Sequence, residues 1–409
     1  MTGRRGTGPA TGGTAPGVRG RLSRALSPAT AFSGRHQSLT TVVTFAVIGI
    51  ILPVIVLFPP FSGFGTQNDW VGGFADAGIF VLLAIGLNVV VGWAGLLDLG
   101  YAAFFAIGSY TYAYGASPFT GVHIPFWAML PVGAFVAAAF GILLGAPTLR
   151  LRGDYLAIVT LGFGEIVPAV FLNASTLTNG TNGIVGLDQP SLGRLFGVGD
   201  FGFTNPWPYF ATILAIIAVA FMLLSRLENS RLGRAWVAIR EDELAAASMG
   251  INTVTTKLLA FAIGASTAGL AGVYSAAKLS IVSPDQFNFT VSFTVLAMVV
   301  LGGMGNIWGV AAGAFLVFEL QSQGLKQLNT FIGSLGLPSF QLGPITVDLA
   351  TVNFLNYQYL LYGLALVLMM LLRPEGLFPS RRRRRELHES PDEAERGNVE
   401  LSEAEAVEP

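Results

Sequence analysis

Long apolar runs separated by short polar stretches occupy the chain from residue 41 to residue 372. They fall at 41–58, 74–92, 96–115, 126–146, 155–172, 208–225, 257–277, 291–303, 307–323 and 356–372. A helix needs about 20 residues to cross a hydrocarbon core of about 30 Å, and most of these runs come close to that length. The expected fold is all-α, a polytopic transmembrane helical bundle of about ten spans. The run 291–303 is short. With the sequence Gly302-Gly303-Met304-Gly305-Asn306 behind it, it reads equally as part of one broken or re-entrant element, so the count is about nine to eleven.

Composition places the same residues in lipid. Apolar residues make up 52% of the 409 and charged residues 11%, against about 25% charge in a soluble domain, and the mean hydropathy is +0.62. The chain has no cysteine, and its histidines, His36, His123 and His388, lie far apart. Disulfides, thiolate chemistry and a clustered metal site are therefore not expected. There is no H-E-x-x-H, no G-x-S-x-G and no glycine-rich loop ending in G-K-[ST], so the chain is not expected to be an enzyme, to hold its own ATP or to carry a cofactor. Nothing points to nucleic acid.

Charge divides the chain into three parts. Residues 1–40 are rich in Gly, Thr, Ala and Arg, and residues 379–409 run from Arg381 to Arg385 into a Glu-rich end. Both tails are expected to be disordered, having too little apolar surface to offset ordering, with the transmembrane domain at 41–378 between them. Arg4-Arg5 does not read as a twin-arginine signal, because no apolar stretch follows before residue 41. With a cytoplasmic N-terminus and ten spans, 20 of the 23 Lys and Arg fall inside, leaving Arg194, Lys278 and Lys326 outside. That is the asymmetry that retention of cations in the cytoplasm produces, so both termini are expected inside. The arginine run suits this topology role, and contact with anionic lipid headgroups is a second use for it.

Few ionisable groups fall at membrane depth. Glu165 stands in L-G-F-G-E-I-V-P, three residues before Pro168, which removes a helical hydrogen bond. It reads either as a polar patch on a solute path or as a carboxylate paired with a neighbouring helix. Asp98 in G-L-L-D-L-G reads as an interfacial cap or, if it faces inward, as part of the path. Asp76 and Asp154 are expected to cap the starts of spans, and Glu319 to be solvated at an outer helix end. Asn88 is a lone amide in a glycine-rich stretch with Gly86, Gly92, Gly95, Gly100 and Gly108. A second such stretch holds Gly302, Gly303, Gly305, Gly309 and Gly313. Two glycine-broken segments in different halves point to an internal repeat with a pathway between the repeats; close helix packing explains the glycines as well. The candidate path residues are Asn88, Gly92, Asp98 and Glu165.

One cytoplasmic loop, 226–256, is long. Glu241, Asp242 and Glu243 favour a helix N-terminus, Ala245, Ala246 and Ala247 favour a helix, and Gly250 is a natural stop. The resulting short helix fits a groove on another protein, or it is a plain connector.

Four stretches and their spacing resemble the permease subunits of branched-chain amino acid ABC importers, of the longer, LivM type. They are G-L-N-V-V-V-G-W-A-G-L-L-D-L-G-Y-A-A-F-F-A-I-G-S-Y-T, R-G-D-Y-L-A-I-V-T-L-G-F-G-E-I, S-R-L-G-R-A-W-V-A-I-R-E-D-E-L-A-A-A-S-M-G-I-N and V-L-G-G-M-G-N-I-W-G, with a closing R-P-E-G-L-F. The likeness covers about residues 70 to 378. It implies a coupling helix in which Arg240, Glu241, Asp242, Glu243, Ala246 and Gly250 engage a cytoplasmic ATP-binding subunit. It also implies a second homologous permease subunit or a homodimer, an extracytoplasmic solute-binding protein, and residence across the bacterial cytoplasmic membrane with leucine, isoleucine or valine as solute. Asp98 stands where this family often has Ser, which leaves the solute open, and a sister importer of urea, short amides or another amino acid is the alternative. A stand-alone channel or ion-coupled carrier would need no coupling helix.

Overall fold

The computed structural model describes residues 37–55, 66–148, 154–191, 201–202, 205–324, 340–342 and 345–347, with 357, 360, 363–364, 367–368, 371–372 and 376–378 near the end. The two tails, most of the loop 324–355 and most of the run 356–372 lie outside the described residues, apart from helical residues 37–40. The chain forms two compact units, residues 1–48 and 49–409. Helix α1 (Gln37–Ile55) begins in the first unit, four residues ahead of the first expected run, and ends in the second.

In the second unit α2 (Gln67–Asn88) opens with a capping box. Thr66 Oγ1 accepts the Asp69 N–H and Asp69 Oδ2 accepts the Thr66 N–H, which satisfies two amides that a helix start otherwise leaves open. The helix thus starts at Gln67 and not at 74. Asp76, expected to cap, instead lies well inside α2, where it pairs with Lys278 at 2.5 Å.

At its far end α2 passes into a π-helical turn, Val89–Trp93, and the backbone then leaves helical geometry until α3 (Tyr101–Gly115). The run 96–115, mostly apolar apart from Asp98, does not form one span. At about 1.5 Å per residue α3 is roughly 22 Å long, short of a hydrocarbon core. Gly95 turns the chain at φ +70°, a conformation that costs other residues about 1–2 kcal/mol.

Helices α4 (Phe126–Thr148), α5 (Asp154–Asn173), α6 (Trp207–Glu228) and α9 (Thr253–Leu279) follow from long apolar runs. Between α6 and α9 lie the short polar helices α7 (Arg231–Glu241) and α8 (Glu243–Ser248). Asn306, whose side chain accepts the Trp308 N–H, opens α11 (Ile307–Glu319), which follows α10 (Phe289–Gly302). The stretch 302–306 is therefore a sharp link between two helices. They fold back on each other so closely that a Cβ at Gly302 would lie 2.7 Å from Gly309 O.

Among the described residues six helices are long and apolar enough to cross a membrane: Gln67–Trp93, Phe126–Thr148, Tyr155–Asn173, Trp207–Glu228, Thr253–Leu279 and Pro284–Gly302. Helix α9 is at the centre, 72% buried, and its small face admits its neighbours. A Cβ at Gly108 of α3 would lie 2.6 Å from Gly269 Cα, and Gly269 meets Gly133 of α4 as closely. Such approach is how helices associate where lipid removes the hydrophobic drive. The outward face of α4 is Trp127, Val132, Phe135, Phe140, Ile142 and Leu143, as a lipid contact requires. Small antiparallel pairings, Ala116–Ser117 with Val122–His123 and Ile184–Val185 with Ile281–Val282, tie the connecting segments together.

Candidate functional site

The helix pair in the polar loop is built by local caps. Ser230 Oγ accepts the N–H groups of Leu232 and Gly233 and starts α7. Asp242 breaks from helical geometry, and its Oδ1 accepts the N–H groups of Leu244 and Ala245 at 2.8 and 3.0 Å, starting α8. Gly250 ends it at φ +85° with open space around it.

Helix α8 is held from one side and open on the other. Ala246 is buried, and Glu243 Oε1 takes Lys257 Nζ of α9 at 2.6 Å. That lysine is 6% exposed, so its charge is satisfied by this one carboxylate in a place where water is scarce. The outer side presents Leu244 and Met249, 68% and 84% exposed, with Ala245, Ala247 and Ser248. Two large apolar side chains at the tip of a polar loop are what a groove on another protein would take up.

From α7 the contacts run inward. Trp236 is fully buried, donates its Nε1–H to Thr256 O at 2.7 Å, and stacks on Trp93 with the rings 6.2 Å apart and 16° from parallel. Arg240 lies along the protein as well: its Nη1 donates to Gly92 O at 2.5 Å. A Cβ at Gly95 would sit 2.7 Å from Arg240 Cγ, so the stem fits only because residue 95 has no side chain. A π turn leaves carbonyls without their usual partners, and a guanidinium is a strong donor to one.

The third part is the link between α10 and α11. Gly305 N–H donates to Asn88 Oδ1 at 2.8 Å, and Trp93 Nε1–H reaches Gly305 O at 3.4 Å. A Cβ on Gly92 would lie 2.7 Å from Gly305 N. The two glycine-broken segments, far apart in sequence, therefore meet at one point, and Arg240 and Trp236 of the loop helix close the same cluster. Asn88 Nδ2 is buried there with no hydrogen-bond partner, a donor left over for a further group.

The four sequence-derived path candidates separate. Asn88 and Gly92 belong to this cluster. Asp98 is 1% exposed, and its Oδ1 accepts the Gly100 N–H at 2.9 Å ahead of α3. Its Oδ2 is buried without a partner beside a small cavity that Thr148, Thr160, Phe104 and Phe261 also line. Glu165 lies on the exposed side of α5. Among the coupling residues, Glu241 and Asp242 are exposed, Glu243 is half-buried, Ala246 is buried and Arg240 reaches inward. Sequence reasoning missed Trp93, Trp236 and Lys257. The tryptophans were visible only as apolar positions. Lys257 stood fourteen residues past Glu243 with a helix boundary between them.

Near the far end of α9, Lys278 Nζ binds Asp76 at 2.5 Å and Gly72 O at 3.0 Å. Glu319, expected to be solvated, has both carboxylate oxygens buried without a hydrogen-bond partner. No cluster of acids, histidines or cysteines that could hold a metal occurs among the described residues.

Residues 70–370 match the family described as "Branched-chain amino acid transport system / permease component". The chain is 41% identical over 325 residues to the high-affinity branched-chain amino acid transport system permease protein LivM of Escherichia coli strain K12, covering 74% of this chain and 68% of that one. It is 28% identical over 268 residues to the permease protein LivH of the same strain, covering 61% and 83%. To the permease protein BraD of Pseudomonas aeruginosa it is 26% identical over 255 residues, covering 60% and 82%. No solved structure matches the chain.

Proposed function

The chain belongs to the family of permease components of branched-chain amino acid transport systems, and from that premise we propose that it is the membrane subunit through which an ATP-driven importer passes leucine, isoleucine and valine. Its partners in this reading are cytoplasmic ATP-binding subunits docked on α8, a second permease subunit, and a solute-binding protein on the far side. The likeness to both LivM and LivH of one organism favours two different permeases over a homodimer. The full bundle has about ten spans with both ends in the cytoplasm, a count the positive-inside distribution of Lys and Arg favours, and it sits in the bacterial cytoplasmic membrane. ATP is hydrolysed on the partner subunits.

The observation that carries this reading is the path of contacts from α8 to the glycine-broken helices. The exposed tip of α8 joins α7 at Asp242, and α7 meets the π turn through Arg240 and Trp236. In this reading a displacement of the tip reaches Gly92 and Gly305 along these contacts. ATP-binding subunits bias the bundle between inward and outward states only by binding them unequally, and a docking helix tied to the breaks of two spans is a means for that bias to reach the pathway. A self-contained channel or carrier has no use for such a tie.

The test is uptake of radiolabelled leucine by proteoliposomes holding the complex, with a chain carrying Leu244→Asp and Met249→Asp. Native complexes should accumulate leucine only with ATP, and the variant should insert normally but lose ATP-dependent uptake. Uptake without ATP, or uptake untouched by the variant, contradicts the reading.

A further inference from the structure

Helix α5 contrasts with every other membrane-length helix in what it shows to its surroundings. Its span, Tyr155–Asn173, is only 22% buried. The exposed positions include Tyr155, Ile158, Glu165, Ala169 and Leu172, and with the half-exposed Gly162 they recur at alternating intervals of three and four residues, which places them on one helix face. Helix α4 is similarly uncovered, yet its large exposed side chains are all apolar, and it can face lipid at no cost.

Glu165 cannot. It lies about 15 Å along the axis from Tyr155 and about 12 Å from Asn173, in the middle of the span. A carboxylate on two methylenes is too short to reach the headgroups as Lys and Arg do. Facing hydrocarbon, an acidic side chain at a helix centre is costly unless it is paired. The comparison within the chain is Asp76, also inside a span, which is met by Lys278. Glu165 has no hydrogen bond or ion pair among the described residues.

We infer that the face of α5 built from Tyr155, Ile158, Gly162, Glu165, Ala169 and Leu172 is the surface on which this chain meets the second permease subunit, Glu165 being paired there with a hydrogen-bond donor of that subunit. The inference rests on the two-permease reading above. Depth selects the occupant: ATP-binding subunits and a solute-binding protein lie outside the hydrocarbon and cannot reach the middle of a span, whereas another polytopic chain can. Spacing agrees with it. Gly162 and Ala169 are seven residues apart on either side of Glu165, and a Cβ at Gly162 would meet nothing within 4 Å, so a facing helix can approach closely enough to bring a donor to the carboxylate. The face also belongs to the stretch R-G-D-Y-L-A-I-V-T-L-G-F-G-E-I, whose exposed positions no contact among the described residues explains.

The experiment is site-directed photo-crosslinking in the assembled complex of this chain, the second permease and the ATP-binding subunits. p-Benzoylphenylalanine is placed at Ile158 or, as a lipid-facing control, at Phe135. Irradiation should give an adduct with the second permease from position 158 and none from 135. In parallel, Glu165→Leu should lower recovery of the second permease with the tagged chain by at least about tenfold, the factor that roughly 1.4 kcal/mol represents, while Glu165→Gln keeps most of it. No protein adduct at 158, an adduct only within this chain or with a second copy of it, or equal recovery with Glu165→Leu overturns the inference. ATP-dependent leucine uptake by the native complex, measured on the same preparation, separates these failures from failure of the transport reading.

Discussion

Arg240 and Gly95 make a pair in which one residue's size depends on the other's absence of a side chain. The arginine stem occupies the place of a Cβ at position 95, and the guanidinium ends on Gly92 O. Gly95→Ala should therefore suffer twice, from the positive φ, roughly 1–2 kcal/mol, and from the displaced stem. Gly121 has nearly the same φ, +69°, with nothing near its Cβ position, so Gly121→Ala should carry the backbone cost alone. Thermal unfolding in detergent should rank native above Gly121→Ala above Gly95→Ala; equal losses would mean that the stem is not confined. Asp98 offers a second comparison. Asn at that position keeps an acceptor for the Gly100 N–H and removes the buried charge, whereas Ala removes both and leaves a buried donor without its partner, a loss of roughly 1–3 kcal/mol. Asp98→Asn is expected to be at least as stable as the native chain and Asp98→Ala less stable. None of this was legible in the sequence, where Arg240 read as one more charge of a docking loop and Asp98 as an interfacial cap or part of the path. A side chain's direction depends on the helix phase and on what lies across from it, and neither is written locally.

Elements were far more legible than the contacts between them. The runs at 126–146, 208–225 and 257–277 became α4, α6 and α9 because an unbroken apolar stretch of that length has one solution in lipid, a helix that satisfies its own backbone. The loop helix emerged from Asp242 through the alanines to Gly250, but Arg240 and Glu241, expected in the same helix, end α7 because Asp242 breaks the chain from helical geometry between them. The run 96–115 failed for a physical reason: residues 96–100 extend the apolar stretch of α3 in the sequence apart from Asp98, and their departure from the helix is set by Gly95, Gly100 and the partners across from them. The glycines elsewhere serve packing, and that has a measurable consequence. Gly108→Val would drive its branched side chain into the backbone of Gly269, separating α3 from α9. Little folded protein should survive extraction from the membrane, while Gly162→Ala on the open face of α5 should leave the yield of this chain unchanged. Normal yield of Gly108→Val would show that α3 and α9 are not pressed together.

At the scale of the molecule the account joins a docking tip, a strut and two broken helices. The tip, Leu244 and Met249, is outside; the strut, Arg240 with Trp236, passes inward; the breaks at Gly92 and Gly305 meet where Asn88 holds them together. If the strut is what carries motion, removing it should leave binding of the ATP-binding subunits and their hydrolysis in place while separating both from transport. The most direct measurement is ATP hydrolysis and leucine uptake recorded together on proteoliposomes of the complex carrying Arg240→Ala. A bond to a charged group is worth roughly 1.5–3 kcal/mol, a factor of about ten or more, so the account predicts leucine moved per ATP reduced about tenfold or more with hydrolysis near its native rate. An unchanged ratio of leucine to ATP would contradict it.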